Sequence, residues 1–310
     1  MKIHYINLNS KIDGYLFHLA VGNFDGIHIG HQNIISSLVK EAKKQKKFSA
    51  ILSFNPHPRQ FFSKELDRYQ ILSEEKKQKI CKSLGIDHYF CLQFDKTLSN
   101  LSPMDFISKI IVEQLKVEKL IVGYDFRFGK DRKGDTKLLL DLSKIHGFTT
   151  EIVKPIYQPN SKKLYSSTLI REAIRLGQME KVCSLLGRPW SMDGKVIKGD
   201  QRARKMNFPT ANILPHNEIY PLKGVYAVTT KFEGKNYSGI ANFGERPTVE
   251  GEKMLLEVHL FEFNKDIYGK HLTVEFLTFI RSEKKFETFD LLFEQIKRDI
   301  QIALDYHLRK

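Results

Sequence analysis

Apolar runs of strand length alternate with longer segments of helical periodicity through the first half of this 310-residue chain. Strand candidates are Leu16 to Val21, Phe48 to Phe54, His88 to Gln93, Lys119 to Gly123 and Thr149 to Val153, with helix candidates over 30–46, 73–84, 103–116 and 135–146 between them. Such alternation predicts right-handed βαβ units on a parallel, Rossmann-like α/β sheet. Ligands of these sheets bind beyond the carboxyl ends of the strands. Three unusual segments each follow a predicted strand directly: GNFDGIHIGH (Gly22 to His31), FNPHPR (Phe54 to Arg59) and GYDFRFG (Gly123 to Gly129). The fold class therefore places all three on one edge.

GNFDGIHIGH carries the most chemistry. His28 and His31 stand three apart and share a face if a helix starts there. A helix N-terminus adds unpaired N–H groups and a positive dipole end, so imidazoles and amides converge on one anion. Gly22, Gly26 and Gly30 let phosphate oxygens approach the backbone, and imidazole stabilises charge developing on a phosphate in transfer. The plainer alternative is a turn and a helix whose histidines face solvent. HIGH is also the phosphate signature of class I aminoacyl-tRNA synthetases, which indicates nucleotidyl transfer as a class and leaves the substrate open.

The pattern turns helical from Tyr165 to Leu186 and then changes to short β-rich runs beyond Arg188: Gly194 to Ile197, Gly224 to Lys231, Tyr237 to Asn242, Leu255 to Phe261 and Leu272 to Ile280. Gly, Pro and Asn turns between them predict an antiparallel barrel. Phe289, Leu292, Phe293, Ile296, Ile300, Ala303 and Leu304 recur at helical spacing and predict a C-terminal amphipathic helix on that barrel. The boundary is expected near Gly187, giving domains 1–186 and 187–310.

In the second half, Thr210 and Asn212 of NFPTAN stand two apart and share a face on an extended chain. Neutral oxygens suit Mg²⁺, which takes few protein ligands and shares itself with phosphates; Pro-Thr-Ala-Asn is equally an ordinary turn sequence. Arg202, Arg204 and Lys205 precede it and would sit over those phosphates. Glu257, inside the apolar run MLLEVHLF, is a carboxylate that needs a partner or a purpose. It either serves as a general base beside a nucleotide or faces solvent on an alternating strand, with His259 on the same face.

The net charge of +14, from 50 Lys+Arg against 36 Asp+Glu, favours polyanionic partners, either nucleic acid or small phosphorylated ligands. A lysine-rich solvated surface explains it as well. Cys81, Cys91 and Cys183 show no metal-type spacing and make no disulfide framework. No apolar signal core and no membrane-length run is present, so a cytoplasmic location is expected.

Taken in order, GNFDGIHIGH, SFNPHPR, VGYDFRFGKDRKGD, SSTLIR, LLGRPW, NFPTAN, GIANFGERPT and YGKHLTVEF resemble the bacterial bifunctional riboflavin kinase/FAD synthetases over nearly the whole chain. The resemblance implies a nucleotidyltransferase domain making FAD from FMN and ATP, followed by a riboflavin kinase barrel making FMN from riboflavin and ATP. Flavins are then substrates and products, Mg²⁺ accompanies ATP, and neither nucleic acid nor membrane is a partner; the oligomeric state stays open. His28 and His31 would hold ATP phosphates, with Gly22, Asn23, Phe24, Asp25, Gly26 and Gly30 forming the loop around them. Ser167, Thr168 and Arg171 would close over the nucleotide, and Asp125, Phe126, Arg127, Phe128 and Gly129 would line the transfer site. In the barrel, Thr210 and Asn212 would hold Mg²⁺, Arg204 would meet the nucleotide, and Glu257 would be the base.

The chain departs from the family pattern GRxxGFPTAN by carrying Ala203 and Asn207 at its glycines. A positive φ at Ala203 would cost on the order of 1 kcal/mol, which leaves a synthetase with an impaired kinase as one alternative. Another is a tRNA-directed or RNA-binding protein on the same scaffold. A class I aminoacyl-tRNA synthetase would also need a KMSKS-like loop, where this chain has SSTLIR.

Overall fold

The computed structural model describes residues 1–12, 15–63, 68–159, 161–197, 209–216, 218–248 and 251–309. They form two compact units, Met1–Ser167 and Thr168–Lys310. This division puts the helical segment around SSTLIR almost wholly with the barrel, whereas the change of sequence texture falls later, near Gly187.

The first unit is built on a six-stranded parallel sheet of β1 (Lys2–Ile6), β2 (Phe17–Val21), β3 (Phe48–Asn55), β4 (His88–Gln93), β5 (Val117–Gly123) and β6 (Thr149–Val153), in the order β1-β4-β3-β2-β5-β6. All five strands expected from the apolar runs are present, and β1 joins as an edge strand beside β4. Strand β2 is buried at every position, as a parallel strand covered on both faces must be. The chain runs from β2 to β3 and β4 on one side, then returns to β5 on the other. That reversal makes β2 and β5 the switch point, where the carboxyl ends of a parallel sheet open a crevice.

Local sequence explains the helices between strands. Helix α1 (Ile29–Lys44) starts on His28, α2 (Pro58–Phe62) on His57, and α3 (Glu74–Ser83) on Ser73, whose hydroxyl accepts from the Lys76 amide. The short α4 (Lys96–Ser99) is capped by Asp95. The helix expected over 103–116 is α5 (Pro103–Asp105) followed by a π-helical stretch, Phe106–Gln114, which still buries Phe106, Ile107, Ile110 and Ile111 in the sheet's core. Helix α6 (Thr136–His146) is capped by Asp135 and ends on Gly147 at φ 76°.

The second unit opens with α7 (Ser167–Arg175) and α8 (Met179–Leu186). A closed barrel follows, formed by β7 (Trp190–Ile197), β8 (Ala211–Pro215), β9 (Gly224–Phe232), β10 (Lys235–Thr248), β11 (Gly251–Leu260) and β12 (His271–Ser282) in the order β10-β11-β8-β7-β12-β9. Every pairing is antiparallel. Helix α9 (Phe289–Leu308) lies on its outside, with Ala303, Ile300 and Tyr306 packed on Val225, Ala227 and Ile240. Asp299, 2% exposed, pins the helix by accepting from the Arg281 guanidinium at 2.7–3.0 Å.

Candidate active sites

In the first unit the segments after β3, β2 and β5 come from three adjacent strands, as the strand order requires. His28 caps α1: its Nδ1 accepts from the His31 amide at 3.3 Å, so the proton of the neutral ring is assigned to Nε2. The His28 and His31 rings stack at 3.7 Å between centroids and 16° between planes. Phe24 meets His31 edge-on at 5.3 Å. A Cβ on Gly30 would lie 3.1 Å from the His28 ring, so this glycine makes room for the imidazole itself. Burial, with the neighbouring His28 adding to it, holds the His31 imidazole well below its usual range. His31 is thus a neutral ring at pH 7, and its buried Nδ1 has no hydrogen-bond partner among the described residues.

The turn before these histidines is bent hard. Phe24, Gly26 and Ile27 have φ of 46°, 87° and 41°. Asp25 is buried, its carboxylate accepting from the Ile71 amide at 2.9 Å and its carbonyl from the Ser167 hydroxyl at 2.7 Å. Ser167 of SSTLIR therefore reaches the histidine turn directly. Thr168 is exposed and Arg171 is buried on α7.

After β5 the sequence-selected residues divide by burial. Asp125 and Arg127 are exposed, Arg127 facing Asp135 at 3.7 Å, while Phe128 is 5% exposed and stacks on Phe126 at 5.5 Å. Gly129, at φ 70°, passes so close to Pro103 that a Cβ would meet its backbone at 2.6 Å. The glycine lets this loop fold flat against α5.

The barrel's candidate site is defined by register. Glu257 on β11 lies directly opposite Asn212 on β8 and, on its other side, Asn242 on β10. Paired residues share a face, so the three form one polar row. Leu256, Val258 and Leu260 alternate with Glu257 and His259 and are buried. Arg246 Nη2 contacts Glu257 Oε2 at 2.6 Å, and its Nη1 reaches Glu283 Oε1 at 3.3 Å. Bonding to Glu257, with help from Glu283, raises the Arg246 guanidinium further above its usual range. His259 Nδ1 lies 2.9 Å from the Pro209 carbonyl, next to Thr210, which directly precedes the β8 strand that carries Asn212. Asn242, Arg246 and Glu283 escaped sequence reasoning, although GIANFGERPT contains the first two. Arg204, with Ala203 and Asn207, lies outside the described residues.

Two family models match in tandem: FAD synthetase over residues 15–168 and riboflavin kinase over 186–307. A curated relative from Haemophilus influenzae, a bifunctional riboflavin kinase/FMN adenylyltransferase, is 37% identical over 96% of each chain. The chain belongs to this bifunctional family. The Escherichia coli K12 relative of the same name is 36% identical over 93% of this chain and 92% of its own. A crystal structure described as a macrolide-efflux protein from Streptococcus pneumoniae has the same fold, with a TM-score of 0.85, 30% identity and coverage of 96% and 97%. That description stands apart from the family, and no helix among the described residues here is long and apolar enough to cross a membrane. Membership favours the bifunctional reading over the tRNA-directed and RNA-binding alternatives and gives one chain two phosphorus-group transfers.

Proposed function

We propose that the chain phosphorylates riboflavin to FMN at the Glu257 row and adenylylates FMN to FAD at the His28–His31 turn, each step consuming ATP. The observation that carries this reading is that the two residue sets belong to different compact units, each with chemistry suited to one transfer.

In adenylylation an FMN phosphate oxygen attacks the α-phosphorus of ATP, the new O–P bond forms, and the bond to pyrophosphate breaks. No enzyme nucleophile is needed, so catalysis is positioning and charge stabilisation. His28 offers Nε2–H, the start of α1 offers amides, and a neutral His31 adds a donor without the cost of a buried charge. On the family resemblance, Ser167, Thr168 and Arg171 are assigned to the nucleotide, and Asp125, Phe126, Arg127, Phe128 and Gly129 to the lining of the transfer site.

In the kinase step Glu257 takes the proton of the ribityl hydroxyl as its oxygen attacks the γ-phosphorus, and ADP leaves. Arg246 holds the carboxylate in one orientation. Thr210 and Asn212 fit Mg²⁺ through neutral oxygens, and among the described residues no cluster of three His, Cys, Asp or Glu suggests a cation held by protein alone. When bound, Mg²⁺ supplies charge neutralisation on the phosphates. Arg204 serves the same nucleotide. A cytoplasmic location, with ATP and flavins rather than nucleic acid or membrane as partners, belongs to this reading.

Incubation with riboflavin, ATP and Mg²⁺, followed by flavin chromatography, tests it. FMN appears first and FAD follows. FAD from supplied FMN without FMN from riboflavin would leave a synthetase alone, and absence of both would overturn the assignment.

A further inference from the structure

Lys77 sits on α3, outside every motif, yet its side chain is only 2% exposed. Its Nζ contacts Glu74 Oε2 at 2.6 Å and donates to Ser53 Oγ at 3.2 Å. Burying an ammonium is costly, and two residues further on Lys79 is exposed. The interior placement therefore calls for a reason. Ser53 is fully buried on β3, where its oxygen accepts from Lys77 and its hydroxyl makes a long contact, 3.5 Å, with the Asn23 carbonyl. The segment entering α3 makes a second attachment, from the Ile71 amide to the Asp25 carboxylate. Asn23 and Asp25 flank Phe24, one of two side-chain-bearing residues in the turn with positive φ. Such conformations persist only where the surroundings over-determine them.

We infer that Lys77, acting through Ser53, is a positioning residue for adenylyl transfer, holding the Gly22–Gly26 turn in its nucleotide-ready shape before ATP arrives. This rests on the assignment of the histidine turn to ATP. A turn that is competent only part of the time lowers apparent affinity by the competent fraction and leaves the saturated rate alone. A purely structural role does the opposite: it lowers the folded fraction, seen as lost kcat at unchanged KM.

Two variants of the full chain separate these. Ser53→Ala removes the relay without touching a charge, and Glu74→Gln with Lys77→Met removes the ion pair without leaving an unpaired carboxylate. In both, KM for ATP in FAD formation from FMN rises about tenfold with kcat within about twofold, while the kinase constants stay at wild-type values. An unchanged KM for ATP, or a fall in kcat alone, would overturn the inference. His28→Ala in parallel keeps the two claims distinct. If it leaves FAD formation intact, the site assignment fails; if it abolishes FAD formation while the other variants keep the wild-type KM, only the role of Lys77 fails.

Discussion

Asn212 and Glu257, 45 residues apart in sequence, are direct cross-strand partners on β8 and β11, so the proposed metal ligand and the proposed base share one face of the barrel. Asn212→Ala is expected to shift the Mg²⁺ dependence of FMN formation to higher concentration by about tenfold, the scale of one lost ligand or its support. A Mg²⁺ titration of both reactions checks it, because the adenylylation curve stays in place.

Gly30→Ala separates activity from stability. The new methyl sits 3.1 Å from the His28 ring and displaces it, whereas alanine is the better helix former by about 1 kcal/mol. FAD formation falls at least tenfold, by analogy with small displacements of catalytic groups, while the thermal midpoint holds or rises. A loss of both together would contradict the ring displacement.

Asp299→Ala strands the Arg281 guanidinium at the α9–barrel contact. Arg281 keeps 23% of its side chain exposed and can be partly rehydrated, so the loss is about 1–3 kcal/mol. Denaturant unfolding followed at Trp190, fully buried on β7, shows an earlier transition for the barrel.

The edge of the sheet holds a pH-sensitive pair. His4 Nε2 and His88 Nδ1 lie 3.0 Å apart, and burial together with His4 and Lys2 lowers the His88 imidazole to about 4. The unfolded chain, with its imidazole near the usual value of about 6.5, binds more protons in between. Stability is therefore complete above about pH 6.5 and is lost as pH falls toward about 4. His88→Phe, among the rings of Phe17, Phe48 and Phe90, flattens that slope in a pH series of thermal midpoints.

The central strands were legible because each is a contiguous apolar run. Strand β1, KIHYI, is an edge strand with four of its five positions exposed or half-buried, so it lacks the contiguous apolar run of the central strands. Strand β8, ANILP, begins only at Ala211, inside the turn-like run PTAN, and its end residue is a proline, so it does not read as a strand. Strand β10 runs six residues past Asn242, because its GERPT tail pairs with β11 in a register that composition does not reveal. The site divides the same way. His28 and His31 are three apart, and the cap bond from the His31 amide to His28 at the start of α1 brings them together. Asn242, Arg246 and Glu283 meet Glu257 only through strand pairing, and Lys77 lies in EEKKQK, which reads as a solvated face until α3 is docked.

Two separable sites are proposed to run the two transfers. The most direct measurement is a crossed assay of His28→Ala and Glu257→Ala, with FMN formation from riboflavin and FAD formation from FMN each followed by chromatography. His28→Ala is expected to lose FAD formation by about 10²–10³-fold, the scale of a lost oxyanion donor, and to keep the kinase step. Glu257→Ala is expected to lose FMN formation by about 10²–10⁴-fold and to keep adenylylation. Equal loss of both activities in either variant would contradict the separation of the two sites.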